Sequence, residues 1–170
     1  MITGAPGAGK SSVAEALTTL LDNAGIEHGA IESEQLAWGT PWLEEAQMCE
    51  QLAEVVRLQR SYGRRLFIVV GTTETEEDLQ GLLGAIGAGR SFVACLTVPG
   101  DVASARVLER EPERWAARES LAEHARELAS QIPRLQSIDL VLSTDGRDEE
   151  SVAAELSDAL MAAGMFSVDS

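Results

Sequence analysis

The residues with the clearest chemistry stand almost at the start of the chain, in "GAPGAGKSS", Gly4 to Ser12. Gly4, Gly9, Lys10 and Ser11 meet the spacing G-x-x-x-x-G-K-[ST], with Ala5, Pro6, Gly7 and Ala8 between. Glycines at this spacing let the backbone curl until several N–H groups point into one concavity. A helix starting near Lys10 adds the positive end of its dipole. In such a loop Lys10 reaches the β- and γ-phosphates of a nucleotide, and the Ser11 hydroxyl ligates Mg²⁺. Gly4 through Ser12 are therefore predicted to bind a nucleotide phosphate.

Acids and aromatics follow at intervals. "AIESEQL" carries Glu32 and Glu34, two residues apart. In an extended segment they would point to the same side. A carboxylate there can orient or deprotonate a hydroxyl, and its neighbour can help hold Mg²⁺ through water; a solvated acidic loop is the alternative. In "AWGTPWLEE", Trp38 and Trp42 would either wall a pocket for a ring or plug the core between helices. "GTTETEED" places Gly71, Thr72 and Glu74 after an apolar run, with Thr75 read as a helix cap. Arg106, Arg110, Arg114 and Arg118 recur every four residues, interrupted by Pro112. On one continuous helix they would form a stripe; pairing with the neighbouring glutamates is the plain reading. Asp145, Gly146 and Arg147 form a last loop, with Asp148 capping the helix after it. His28 and His124 are isolated and read as surface residues.

These residues need a frame to bring them together. Apolar runs at Ile2–Thr3, Gly29–Glu32, Leu66–Val70, Phe92–Val98 and Ile138–Ser143 read as strands. The last three are continuous, as in strands covered on both faces of a parallel sheet. Helical patterns fill the intervals: Lys10–Ala24, Leu43–Tyr62, Glu76–Ile86, Asp101–Arg110, Glu113–Ile132 and Glu149–Met161. This alternation predicts a three-layer α/β fold in one domain over residues 1–170. "MFSVDS" at the end reads as a frayed tail. Only Met1 to Thr3 precede Gly4, so the native chain is expected either to start further upstream or to have a very short central strand.

Bulk properties narrow the classes. A net charge of −15 disfavours binding to a nucleic-acid backbone. No apolar stretch approaches the length of a membrane span, and no secretory leader is visible, so a cytoplasmic protein is expected. Cys49 and Cys95 lack metal-ligand spacing and read as buried free thiols. No [NT]-K-x-D base-reading motif is present, and the third strand ends "VVGTTE" without an Asp.

Taken together, the arrangement resembles the small P-loop kinases of the shikimate kinase, gluconate kinase and chloramphenicol phosphotransferase type. The resemblance spans nearly the whole chain, with the phosphate loop its specific part. It implies a five-stranded parallel sheet in the order 2-3-1-4-5 and a helical lid over about residues 110–122. It implies ATP and Mg²⁺ as cofactors and a small hydroxyl-bearing acceptor, for a monomer or homodimer. By the same resemblance Glu34 is the candidate base and Glu32 the metal helper. Arg106 or Arg110 would stack on adenine, Arg114 or Arg118 would neutralise transferred charge, and the Arg147 loop would brush the base. Trp38, Trp42, Gly71, Thr72 and Glu74 would line the acceptor site. Glu where the family places Asp departs from its pattern. A non-catalytic ATP-binding regulator and a nucleotide hydrolase are the alternative readings.

Overall fold

A computed structural model describes residues 1–167. The chain runs β1 (Ile2–Gly4), α1 (Lys10–Asn23), β2 (His28–Glu32), α2 (Ser33–Ala37), α3 (Glu45–Ser61), β3 (Leu66–Val70) and α4 (Glu76–Ile86). It continues with β4 (Ala94–Thr97), α5 (Gly100–Arg110), α6 (Arg118–Gln131), a 3₁₀ turn at Ile132–Arg134, β5 (Leu140–Ser143) and α7 (Glu149–Ala162). The five strands are parallel in the order β2-β3-β1-β4-β5, as expected.

Alternation along each strand assigns the layers. Ile2, Ile68, Val70, Ala94 and Leu96 face α1 and α7, whose Val13, Leu17, Leu21, Val152 and Leu156 complete one core. On the opposite face Ile31 and Val69 meet Leu52 and Val56 of α3 and Leu82 and Ile86 of α4. Cys95 packs there with Leu128 and Ile132 at the end of α6. Its burial pushes the thiol pKa up to about 11. Cys49 is only half-buried.

β1 is three residues long and lies at the centre of the sheet. Its pairing extends one residue back, because the Met1 carbonyl accepts the Ala94 N–H at 2.9 Å. Thr3 is its one polar side chain and is fully buried. Its hydroxyl meets that of Thr73 at 2.8 Å and accepts the Thr73 N–H at 3.3 Å, tying the loop after β3 to the central strand.

The structure departs from the sequence reading at four places. β5 is an edge strand with Val141 48% exposed, so only one of its faces is covered. α6 begins at Arg118 rather than Glu113, and residues 111–117 form turns linked by Trp115 N–H to the Pro112 carbonyl and Arg118 N–H to the Trp115 carbonyl. The short α2 was not expected. Met165 and Phe166 pack against the main core instead of fraying; Val168 to Ser170 lie outside the described residues.

Candidate nucleotide and acceptor site

The loop between β1 and α1 owes its shape to two close approaches. Gly4 has φ +145°, and a Cβ there would lie 2.3 Å from the Leu96 carbonyl oxygen of β4. Gly7 has φ +83°, and a Cβ there would meet the Ala103 carbonyl oxygen of α5 at 2.6 Å. Only glycine fits either position. The curl is closed by the Ala8 N–H donating to Ala5 at 3.1 Å. From outside, the Thr144 hydroxyl donates to the Ala8 carbonyl at 2.9 Å and Arg106 to the Gly7 carbonyl at 3.2 Å.

α1 then starts without a side-chain cap and without an acid in its first turn. α2, α5 and α6 also lack a side-chain cap, but among the described residues every other α-helix has an acid in its first turn. α4 is capped by Thr75 and opens with Glu76, Glu77 and Asp78; α7 is capped by Asp148 and opens with Glu149 and Glu150. Helix geometry leaves the first amides of α1 without intrahelical partners. Its positive end is therefore open to an anion.

That end opens into a cavity of about 1050 Å³. The volume is ample for a nucleotide with a small second molecule. Lys10 projects into it and donates to the carbonyls of Gly4 at 2.9 Å and Ala5 at 3.2 Å and to the Thr72 hydroxyl at 3.1 Å. Burial pushes its pKa down, Glu34 partly opposes that shift, and Arg110 adds to it. Ser11 and Ser12 line the same cavity.

Glu32 and Glu34 both reach the cavity, but not as two residues of one extended segment. Glu32 ends β2, whereas Glu34 sits in the first turn of α2. The intervening Ser33 turns inward and donates to the Val70 carbonyl at 3.1 Å. A Cβ on Gly71 would come within 2.4 Å of that hydroxyl, so this glycine permits the approach. Glu34 Oε1 accepts the Thr72 N–H at 2.8 Å, and Glu32 accepts from Gln35 at 3.2 Å.

The remaining expected residues divide. Gly71, Thr72, Glu74, Trp42, Arg106, Arg110 and Arg147 line the cavity. Trp38 lies outside it, 77% exposed, as neither pocket wall nor core plug. Arg110 is paired with Glu111 at 2.7 Å, and Arg147 with Glu155 at 2.8 Å. Arg114 is exposed and outside the cavity. Arg118 is outside too, its guanidinium donating to the carbonyls of Leu108 and Glu111 and so fixing the start of α6 to the end of α5.

Three features escaped the sequence reading. His124 is not a bystander: it lines the cavity and bonds Glu74 at 2.7 Å, joining α6 to the loop after β3. Thr144, buried after β5, braces the phosphate loop, and nothing in the sequence sets it apart from its polar neighbours Ser143 and Asp145. Glu45 and Asp78 also line the cavity, in stretches that looked like plain helix starts.

No family model and no curated protein matches the chain in sequence. In structure it is similar to shikimate kinase from Acinetobacter baumannii in complex with shikimate, with TM-score 0.60 and 15% identity over 95% of this chain and 92% of that one. It is similar to APS kinase from Mycobacterium tuberculosis in complex with AMPPNP and APS, with TM-score 0.62 and 21% identity over 94% and 95%. The tunicamycin resistance protein of Deinococcus radiodurans matches with TM-score 0.64 and 18% identity over 94% and 92%. The chain therefore has the P-loop kinase fold. Among the described residues no helix is long and apolar enough to cross a membrane.

Proposed function

We propose that the protein is an ATP-dependent phosphotransferase acting on a small hydroxyl-bearing molecule. The observation that carries this reading is the uncapped, acid-free start of α1 with Lys10, opening into a cavity that has a carboxylate, Glu34, beyond it. Lys10 and the loop amides hold the donor phosphates, and positioning with charge neutralisation accounts for most of the rate. Glu34 keeps one oxygen on the Thr72 N–H, and its other oxygen meets the acceptor hydroxyl and takes its proton. Arg106, Arg110 and Arg147 supply positive charge on the donor side, and Trp42, Gly71, Thr72 and Glu74 border the acceptor.

The residues present suit Mg²⁺. The Ser11 hydroxyl and the Glu32 carboxylate are a sparse oxygen set, which this ion accepts when phosphates and waters complete its shell. Among the described residues no three His, Cys, Asp or Glu side chains converge to hold a metal by themselves. Bound there, Mg²⁺ would neutralise phosphate oxygens. The lid expected over about residues 110–122 narrows in this reading to the turns at 111–117, because α6 begins at Arg118. Arg114 rides on it toward the phosphates, and Arg118 anchors its far end through the Leu108 and Glu111 carbonyls.

The test has two parts. ATP with Mg²⁺ raises the melting temperature of the wild type by mass action, and Lys10→Ala removes most of that rise. ADP release then depends on an added hydroxyl compound. Equal release with and without every acceptor would make the protein a hydrolase, and ATP binding with no turnover would make it a passive binder.

A further inference from the structure

The basic side chains that line the cavity gather at one end, where Asp148 and Glu149 also stand, while the other end has carboxylates and neither lysine nor arginine; the division follows the topology. The cations that line it, Lys10, Arg106, Arg110 and Arg147, come from the phosphate loop, α5 and the loop after β5. The other wall comes from the β2–α3 and β3–α4 segments. Residues 11–56 contain neither lysine nor arginine, and neither do residues 66–89. Arg57, Arg60, Arg64, Arg65 and Arg90 follow or precede these stretches. They sit at the end of α3 and ahead of β3 and β4, whereas the cavity lies past the C-terminal ends of the strands, at Glu32, Gly71 and Thr144.

The acceptor wall presents Glu34, Glu45, Glu74 and Asp78, with Trp42 beside them. Some of these carboxylates are engaged. Glu74 bonds His124, and Asp78 Oδ2 accepts the N–H groups of Glu74 and Thr75. Glu45 is different. It stands in the first turn of α3 facing Asp78, and among the described residues neither of the two is in an ion pair. Partial burial, then the Asp78 and Glu77 carboxylates, hold the Glu45 carboxyl above its ordinary range. A cation arriving between Glu45 and Asp78 would relieve that repulsion, and the Trp42 ring offers a face for the same group.

We propose that the acceptor is a hydroxylated amine, its ammonium held by Glu45 and Asp78 while its hydroxyl meets Glu34, and that acceptors carrying a carboxylate, sulfate or phosphate are excluded. This rests on the phosphotransferase reading and adds the charge of the substrate. An anionic acceptor would enter a wall whose carboxylates repel it and which offers no lysine or arginine to offset them.

Matched sets on one skeleton test it: glucosamine, N-acetylglucosamine and glucuronate, and 2-deoxystreptamine, myo-inositol and quinate. Binding is read first as a thermal shift without nucleotide, so that it does not depend on turnover. The amine of at least one set shifts the protein, with an affinity about 10- to 100-fold above its neutral partner, and the acid does not. Glu45→Lys, at an exposed helix position, reverses that order. The proposal is overturned if no amine shifts the protein, if the neutral or acidic member binds as well as the amine, or if the amine preference survives Glu45→Lys. Amine binding with no ADP release would leave this inference standing and remove the kinase reading. Release with neutral acceptors alone would do the reverse.

Discussion

Glu34 and Lys10 are joined through a single residue: Glu34 accepts the Thr72 N–H at 2.8 Å, and the Thr72 hydroxyl accepts from Lys10 at 3.1 Å. The group proposed to activate the acceptor and the group proposed to hold the donor thus share one positioning element. Thr72 can play that part because its neighbour Thr73 is tied to Thr3 beneath the phosphate loop.

Glu34→Gln separates chemistry from positioning. The amide oxygen of glutamine still accepts the Thr72 N–H, so the loop keeps its place. Loss of the basic oxygen lowers turnover by roughly 10²- to 10⁴-fold if Glu34 takes the acceptor proton. ATP affinity changes little, because Lys10 and the loop amides carry it. Steady-state kinetics beside an ATP titration measure both. Unchanged turnover would mean that Glu34 only positions Thr72.

Thr3→Val tests the buried pair. Valine has nearly the same shape but leaves the Thr73 hydroxyl and N–H without their partner in a fully buried place. The expected loss is about 1–3 kcal/mol. For a chain of this size that lowers the melting temperature by roughly 2–4 °C per kcal/mol. Adding Thr73→Val recovers part of the loss, since it removes the orphaned hydroxyl but not the N–H. Chemical denaturation of the three variants decides it, and a wild-type stability for Thr3→Val would show that the pair contributes nothing.

What could be read in advance was whatever is local. Glycine spacing located the phosphate loop, continuous apolar runs located the strands, and Thr75 and Asp148 before runs of acids marked two helix starts. α2 has five residues, too few for a helical period to register. Residues 113–117 have helix-compatible letters, but α6 starts later, where Arg118 reaches back to Leu108 and Glu111. The four-residue spacing of the arginines, interrupted at Pro112, does not tell them apart; only tertiary contact separates Arg106 on the Gly7 carbonyl from Arg114 in solvent. His124 meets Glu74 fifty positions away, and no pattern along the chain announces it. The charge division of the cavity is of the same kind. Two cation-free stretches are visible in the sequence, but only the β2-β3-β1 order places them on one wall.

The last prediction is a dependence of stability on pH set by Glu45. Its carboxyl pKa is raised in the folded chain, first by partial burial and then by Asp78 and Glu77. Cys49, one turn along α3, and Gly81 of α4, where a Cβ would lie 3.4 Å from the Glu45 carboxylate, complete its surroundings. A group held above its unfolded value binds its proton more tightly when folded. Its stabilising contribution is therefore full below the unfolded value and is lost as pH rises through the folded one. Glu45→Gln imitates the protonated form at every pH. The variant should match the wild type in acid and exceed it at neutral pH, by less than about 1 kcal/mol because water screens so exposed a carboxylate. Denaturation midpoints from pH 4 to pH 8 measure the difference. A gap that widens toward acid, or a variant less stable than the wild type at pH 7, would show that Glu45 is held by a favourable partner and not strained by its neighbours.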